Sequence, residues 1–209
     1  MYVVDTNVLV DLYKCKHDYG FNRSHYMLCQ GLDLMLSREN LIVPLSTAIE
    51  LVELYEKTTN PQLKELYRRT IEYINTLFIQ GKLLGHNPKV YMDASRRARE
   101  KHSDRYVFSR CMEELGRPYA VYCPSRTDPI DIKDIAVLTE GAKMTVVTSD
   151  MAVRFEHPSV SEVTRTSYNV ITPEEYLLKH GGRRFQEIPP TCPRVRRLFD
   201  IIEKMLGRV

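Results

Sequence analysis

The sequence predicts an α/β protein in three layers, a mostly parallel central sheet with helices on both faces. Three observations carry that expectation. Short runs such as Val3-Val4, Leu41-Ile42-Val43, Val146-Val147 and Val170-Ile171 are apolar from end to end, as strands buried on both faces are. Longer stretches of helical spacing separate them, which is the alternation that parallel strands joined by crossover helices require. Two of the runs lead to an acid, Val3-Val4 at once to Asp5 and Val146-Val147 through Thr148-Ser149 to Asp150, and the carboxyl ends of strands are where open α/β sheets bind their ligands.

Taken in order, the first strand ends at Val4 and a short helix follows over 6–14. Tyr19 to Asn22 reads as a loop. Ser24 to Arg38 is helical, with Met27, Leu28, Leu32, Met35 and Leu36 on one side. Leu41 to Val43 is a strand stopped by Pro44. Ser46 precedes a helix that turns Ile49, Val52 and Leu54 or Tyr55 inward. Pro61 to Ile79 is a long amphipathic helix whose stripe is Leu63, Leu66, Tyr67, Ile71, Ile74, Leu77 and Phe78. Gly81 to Pro88 breaks it. Residues 89–116 are helical in pattern but richer in Arg and Lys than in core residues, and 118–129 is a proline-containing loop.

A helix over 130–140 ends at Gly141, the residue type favoured just past a helix. The strand 144–148 and a short helical segment near 151–155 come next. Tyr168 to Ile171 is the last strand. Thr172-Pro173-Glu174-Glu175 then offers an N-cap, a proline at the first helical position and an acidic first turn. That helix stops at Gly181-Gly182, and a linker holding Pro189, Pro190 and Pro193 leads to a final helix over 194–206. Residues 1–180 thus read as one domain with a helical insertion at about 61–125, and 183–209 as a basic, proline-linked helical extension.

Composition sets broad bounds. A chain of 209 residues, 43% hydrophobic and 27% charged, can bury a sizeable core in the ordinary globular way. The net charge of +3 says little about partners, because it hides local clusters. Cys15, Cys29, Cys111, Cys123 and Cys192 are odd in number and form no Cys-x-x-Cys pair. With no signal peptide and no apolar run near membrane-spanning length, a reduced cytoplasmic setting away from membranes is expected, and structural zinc is not.

The acids carry the chemistry. Asp5 and Asp150 end strands, Glu50 lies in the first turns of a helix after a strand, and Asp131 and Asp134 open another helix, about 60° apart on its surface at roughly 100° per residue. Brought to one end of the sheet, these carboxylates repel: two charges about 4 Å apart do so by roughly 4 kcal/mol at an effective dielectric of 20. Such a cluster holds protons or binds a cation. With oxygen ligands alone the cation is Mg²⁺ or Mn²⁺ rather than Zn²⁺. The same residues have plainer uses. First-turn acids stabilise the macrodipole, which accounts equally for Asp131, Asp134 and Glu174. Asp5 and Asp150 suit N-caps, and Glu50, Glu53 and Glu56 suit a solvated helix face.

Together, Val-Val-Asp-Thr-Asn-Val-Leu, Val-Pro-Leu-Ser-Thr-Ala-Ile-Glu-Leu, Asp-Ile-Lys-Asp-Ile-Ala-Val-Leu and Val-Val-Thr-Ser-Asp, in that order, resemble the PIN domain. These metal-dependent nucleases include the VapC-type toxins and several RNA-processing enzymes. Val170 to Leu177 also looks like their closing strand and helix. The resemblance covers roughly 1–57 and 128–180. It implies a PIN-like fold and an endoribonuclease in which Asp5, Glu50, Asp131 and Asp150 are catalytic. The same four residues hold Mg²⁺ or Mn²⁺, Asp134 is an auxiliary ligand, and Asn7 and Thr148 orient the acids. Glu53 is a spare ligand for a differently rotated helix.

RNA phosphates need basic residues around an acidic pocket. Arg96, Arg97, Arg99, Lys101 and Arg105 in the insertion form the expected RNA-binding cluster, and a second lies in the tail at Arg183, Arg184, Arg194, Arg196 and Arg197. Either cluster can also be a solvated surface. RNA is the expected partner, with a homo-oligomer and an RNA-processing protein or an antitoxin as further partners. RNA processing or decay is favoured over a toxin role because the chain exceeds a minimal toxin domain. Two other classes stand beside the nuclease. One is a non-catalytic RNA-binding or assembly module that keeps the fold. The other is a metal-dependent phosphatase using a strand-end Asp with Lys133 or Lys143, which leaves the basic clusters without a purpose.

Overall fold

Strand β1 (Tyr2–Val4) lies at the centre of a five-stranded sheet. Its neighbours are β2 (Leu41–Val43) on one side and β4 (Thr145–Val147) on the other, with β3 (Leu83–Gly85) beyond β2 and β5 (Asn169–Ile171) beyond β4. Every pairing among them is parallel. The structure, a computed structural model, describes residues 1–17, 25–99 and 132–181. The loop expected at 19–22, the basic stretch from 100 onward, the loop 118–129 and the extension 183–209 lie outside the described residues.

The strands are three residues each, and period-two alternation divides their side chains between two cores. Val4, Leu41, Val43, Leu83 and Val147 face one core. It is filled from α1 (Thr6–Lys16), α2 (Tyr26–Arg38), α3 (Leu45–Lys57) and α4 (Pro61–Ile79). Val3, Val146 and Val170 face the other, filled by Ile135, Val137 and Leu138 of α6 (Ile132–Glu140) and Val153 and Val160 of α7 (Met151–Thr164). Helices on both faces agree with the three-layer arrangement. α5 (Pro88–Arg99) packs on α3 and α4, and α8 (Pro173–His180) packs on α2.

Several elements differ from expectation. The stretch 81–88 is not a plain break: it contains β3, paired through Leu41↔Leu83 to Val43↔Gly85. Residues 61–85, placed within the insertion, therefore supply an edge strand and a helix buried through Leu66, Thr70, Ile71, Ile74 and Leu77. Leu63, expected in that stripe, is exposed. The short helical segment at 151–155 is a helix of 14 residues that continues through Pro158. Proline removes the N–H that would reach the Arg154 carbonyl; His157 Nδ1 lies 2.9 Å from that oxygen and takes the missing place.

Cys15 and Cys29 correct the expectation of reduced thiols, since a disulfide joins them and ties the end of α1 to α2. Near α8, Thr172 and Glu175 form a reciprocal capping box. Glu175 also receives Arg154 of α7 at 2.8 Å, in a pair whose side chains are only 12% and 9% exposed. Gly31 lets α2 approach the backbone at Pro173, and Tyr176 donates to Glu39 at 2.7 Å.

α3 starts on Leu45 after Pro44, which has no side chain to cap it. Glu140, at the end of α6, does so instead. Its carboxylate accepts from the N–H groups of Leu45 at 2.9 Å and Ser46 at 3.1 Å, and from the Ser46 hydroxyl. An anion at a helix N-terminus gains from both hydrogen bonding and the macrodipole. Glu140→Ala is expected to lower the free energy of unfolding by about 1.5–3 kcal/mol, read by urea denaturation. Because the helix it caps carries Glu50, this bond fixes site geometry as well as stability.

Candidate carboxylate site

The chain builds outward from β1 through β2 to β3, then returns to the other side of β1 with β4. The carboxyl ends of β1 and β4 therefore flank the reversal of strand order, the crevice where open parallel sheets accommodate ligands. Asp5 follows β1 and Thr148-Ser149-Asp150 follows β4.

Asp5 stands at the joint between β1 and α1. Its N–H donates to the Val147 carbonyl at 3.0 Å, carrying the β1–β4 ladder one residue further. Oδ1 accepts from the Thr6 N–H at 2.7 Å, so Asp5 is the N-cap of α1. A cap needs only that oxygen. Oδ2 accepts from the Thr148 hydroxyl at 2.8 Å and from the Asn7 amide at 3.0 Å. Thr148 in turn accepts from the Asp150 N–H at 2.9 Å and from Asn7 at 3.2 Å, which uses its donor and both its lone pairs. Asn7 Oδ1 accepts from the Ser149 N–H at 2.9 Å. Asn7 and Thr148 thus stitch the two strand ends together, and Asp150 caps α7 through Ala152 N–H at 2.7 Å.

Glu50 enters from α3. The Thr6 hydroxyl donates to its Oε2 at 2.6 Å, so the residue after Asp5 ties the second acid to the first. Lys133 of α6 approaches Glu50 Oε1 at 3.5 Å and Glu53 Oε2 at 3.2 Å. Glu50 and Glu53 are therefore not a solvated face. Burial pushes the Asp5 carboxyl up to about 6, and the nearby charges of Glu50 and Asp150 push the same way; the hydrogen bonds from Thr148 and the Thr6 N–H hold it back. Glu50 and Asp150 are near enough to Asp5 for their charges to act on it.

Asp134 lies in the first turn of α6, the helix whose Lys133 reaches Glu50. Asp131, one position before that helix, is outside the described residues, as are Lys101 and Arg105. Arg96, Arg97 and Arg99 belong to α5, which packs beside α3; their side chains lie outside the described part of the structure. Thr6 is a site residue that the sequence does not single out, although a hydroxyl directly after a strand-end acid is the available signal. Lys133 suggests only a phosphatase lysine in the sequence, since its contact with α3 depends on how two helices meet.

Among the described residues, no three His, Cys, Asp or Glu side chains draw close enough to hold one ion. The donors on offer at Asp5, Glu50 and Asp150 are all carboxylate oxygen, and Asp5 is held up chiefly by burial, with a smaller push from the charges of the other two. In kind they suit a hard divalent cation. No protein-family profile, curated protein or solved structure matches this chain.

Proposed function

We propose that this protein is a Mg²⁺- or Mn²⁺-dependent endoribonuclease of PIN-like fold acting in RNA processing or decay. The observation that supports it most is Asp5, a buried carboxylate hydrogen-bonded by Thr148 and Asn7 at the strand-order reversal, with Glu50 and Asp150 crowding it. Asp5, Glu50, Asp150 and Asp131 hold the ions in this reading, with Asp134 in support. Bound divalent ions supply activation of the attacking water and neutralise charge on the departing oxygen.

The chain's own part is positioning. Asn7 and Thr148 fix the rotamer of Asp5, and Thr6 fixes Glu50. Lys133 offsets part of the negative charge while the acids are unliganded. Basic residues along α5 and beyond it, Arg96, Arg97, Arg99, Lys101 and Arg105, hold the strand's phosphates outside the acidic centre. Reversing Arg96 and Arg97 to Glu is expected to weaken RNA binding more than about tenfold. It should also lower the salt slope by about 1.4, the change that neutralising two fewer phosphates of a single strand produces. Fluorescence anisotropy across a salt series checks this; an unchanged slope excludes the patch.

Incubation with Mn²⁺ and a mixed RNA pool, beside a chromogenic phosphate ester, tests the function. RNA cleavage that stops in EDTA and returns with Mn²⁺ supports it. Ester hydrolysis alone assigns a phosphatase. RNA binding without cleavage assigns a non-catalytic module.

A further inference from the structure

Beside Glu50, helices α3, α4 and α6 leave an open cleft of about 250 Å³ lined by Glu53, Leu54, Lys57, Thr58, Tyr67 and Lys133. We propose that this cleft recognises a guanine base and seats one nucleotide of the strand cut at the neighbouring acids. That the nucleotide belongs to a cleaved strand rests on the nuclease reading; the base preference does not.

Glu53 is the centre of the argument. Its Oε2 is held by Lys57 at 3.1 Å and by Lys133 at 3.2 Å, and its side chain is 15% exposed. Two ammonium groups on one oxygen fix the direction of the carboxylate. A carboxylate accepts and does not donate. Guanine offers it two adjacent donors, N1–H and the N2 amino group, with O6 alongside to accept from an ammonium. Adenine and cytosine place a ring lone pair next to their amino donor, and uracil flanks its one N–H with carbonyls. Each of these sets lone pairs against Glu53, and a mismatched buried polar group is what gives hydrogen-bonding sites their selectivity.

The remaining walls suit a base. Tyr67 offers a ring for stacking, which any base accepts, and Leu54 an aliphatic side. The volume fits one base rather than a longer segment. Glu53 follows Glu50 by one turn on the same face of α3, and Lys133 touches both. A base held by Glu53 therefore places its own sugar-phosphate beside the acids, so cleavage falls at a fixed offset from a guanine.

Calorimetric titration of the full chain in EDTA with GMP, AMP, CMP and UMP tests the pocket without cleavage. GMP is expected to bind at least about tenfold more tightly than the others. Glu53→Gln should erase the difference, Tyr67→Phe should keep it, and Tyr67→Ser should weaken all four nucleotides alike. Should Glu53→Gln fail to fold by circular dichroism, Lys57→Met replaces it and should reduce the GMP preference severalfold. Equal affinities, no binding by any nucleotide, or a GMP preference indifferent to these variants overturns the proposal. A guanine preference in a protein that cuts no RNA sinks the nuclease reading and leaves the pocket; RNA cleavage without the preference does the reverse.

Discussion

Asp5→Asn is expected to reduce metal-dependent RNA cleavage at least about 100-fold, since loss of a central carboxylate removes several kcal/mol of transition-state stabilisation. The fold should persist, because the amide keeps an acceptor for the Thr6 N–H that the carboxylate caps at 2.7 Å. The same variant has a stability signature in EDTA. In the folded protein Asp5 keeps its proton up to about 6, against 3.8 ordinarily. Between those values the folded state holds a proton that the unfolded state has released, so stability falls as pH rises. The group's contribution drops by roughly 3 kcal/mol across this window and is then constant above it. Asp5→Asn should remove that decline, leaving the variant less sensitive to pH from 4 to 6 and relatively more stable at 7. Urea denaturation at each pH and a cleavage assay in Mn²⁺ read the two effects. Full cleavage by the variant ends the nuclease proposal, and parallel pH curves end the account of Asp5 as a buried carboxylate that holds its proton up to about 6.

Gly31→Ala is expected to lower stability through a backbone clash. A methyl group there would lie 2.1 Å from the Pro173 carbonyl oxygen and 2.6 Å from its carbon. Both are backbone atoms at the start of α8, so neither can swing aside as a flexible side chain would. Alanine gains up to about 1 kcal/mol in helix propensity, but overpacking of about 1–3 kcal/mol or more outweighs it. The net loss is expected to be about 2 kcal/mol, several degrees in melting temperature for a chain of this size. Gly81→Ala is the control: its φ is +69° with nothing within 4 Å, so only conformational strain of about 1–2 kcal/mol applies. Calorimetry showing Gly31→Ala as mild as Gly81→Ala would rule out the close crossing of α2 and α8.

The central strands are legible because Val3-Val4, Leu41 to Val43, Val146-Val147 and Val170-Ile171 can be satisfied only by burial on both faces. β3 is not. Leu83-Leu84-Gly85 lies at the end of the strand order and has no β-branched residue, so it reads as a break between helices. The length of α7 is hidden by Pro158, whose penalty the His157 side chain offsets only once the helix exists. At the candidate site, Asp5 and Asp150 are legible because each follows a buried strand, while Asn7 and Thr148 are reached only through the resemblance to the PIN domain. The roles of Lys133, Glu140 and the Cys15–Cys29 pair are not legible, since each joins two helices whose facing sides are decided by packing rather than by local pattern.

Hydrogen bonding between Thr148 and Asp5 spans 143 residues of chain, and β1 lies in the sheet between β2 and β4. Strand β1 must therefore wait, during synthesis, until the residues of β4 have emerged before its partner on one side exists. Non-local parallel pairing of this kind is slow to form and leaves apolar edges uncovered meanwhile. Any product truncated before residue 145 is thus left with half a crevice.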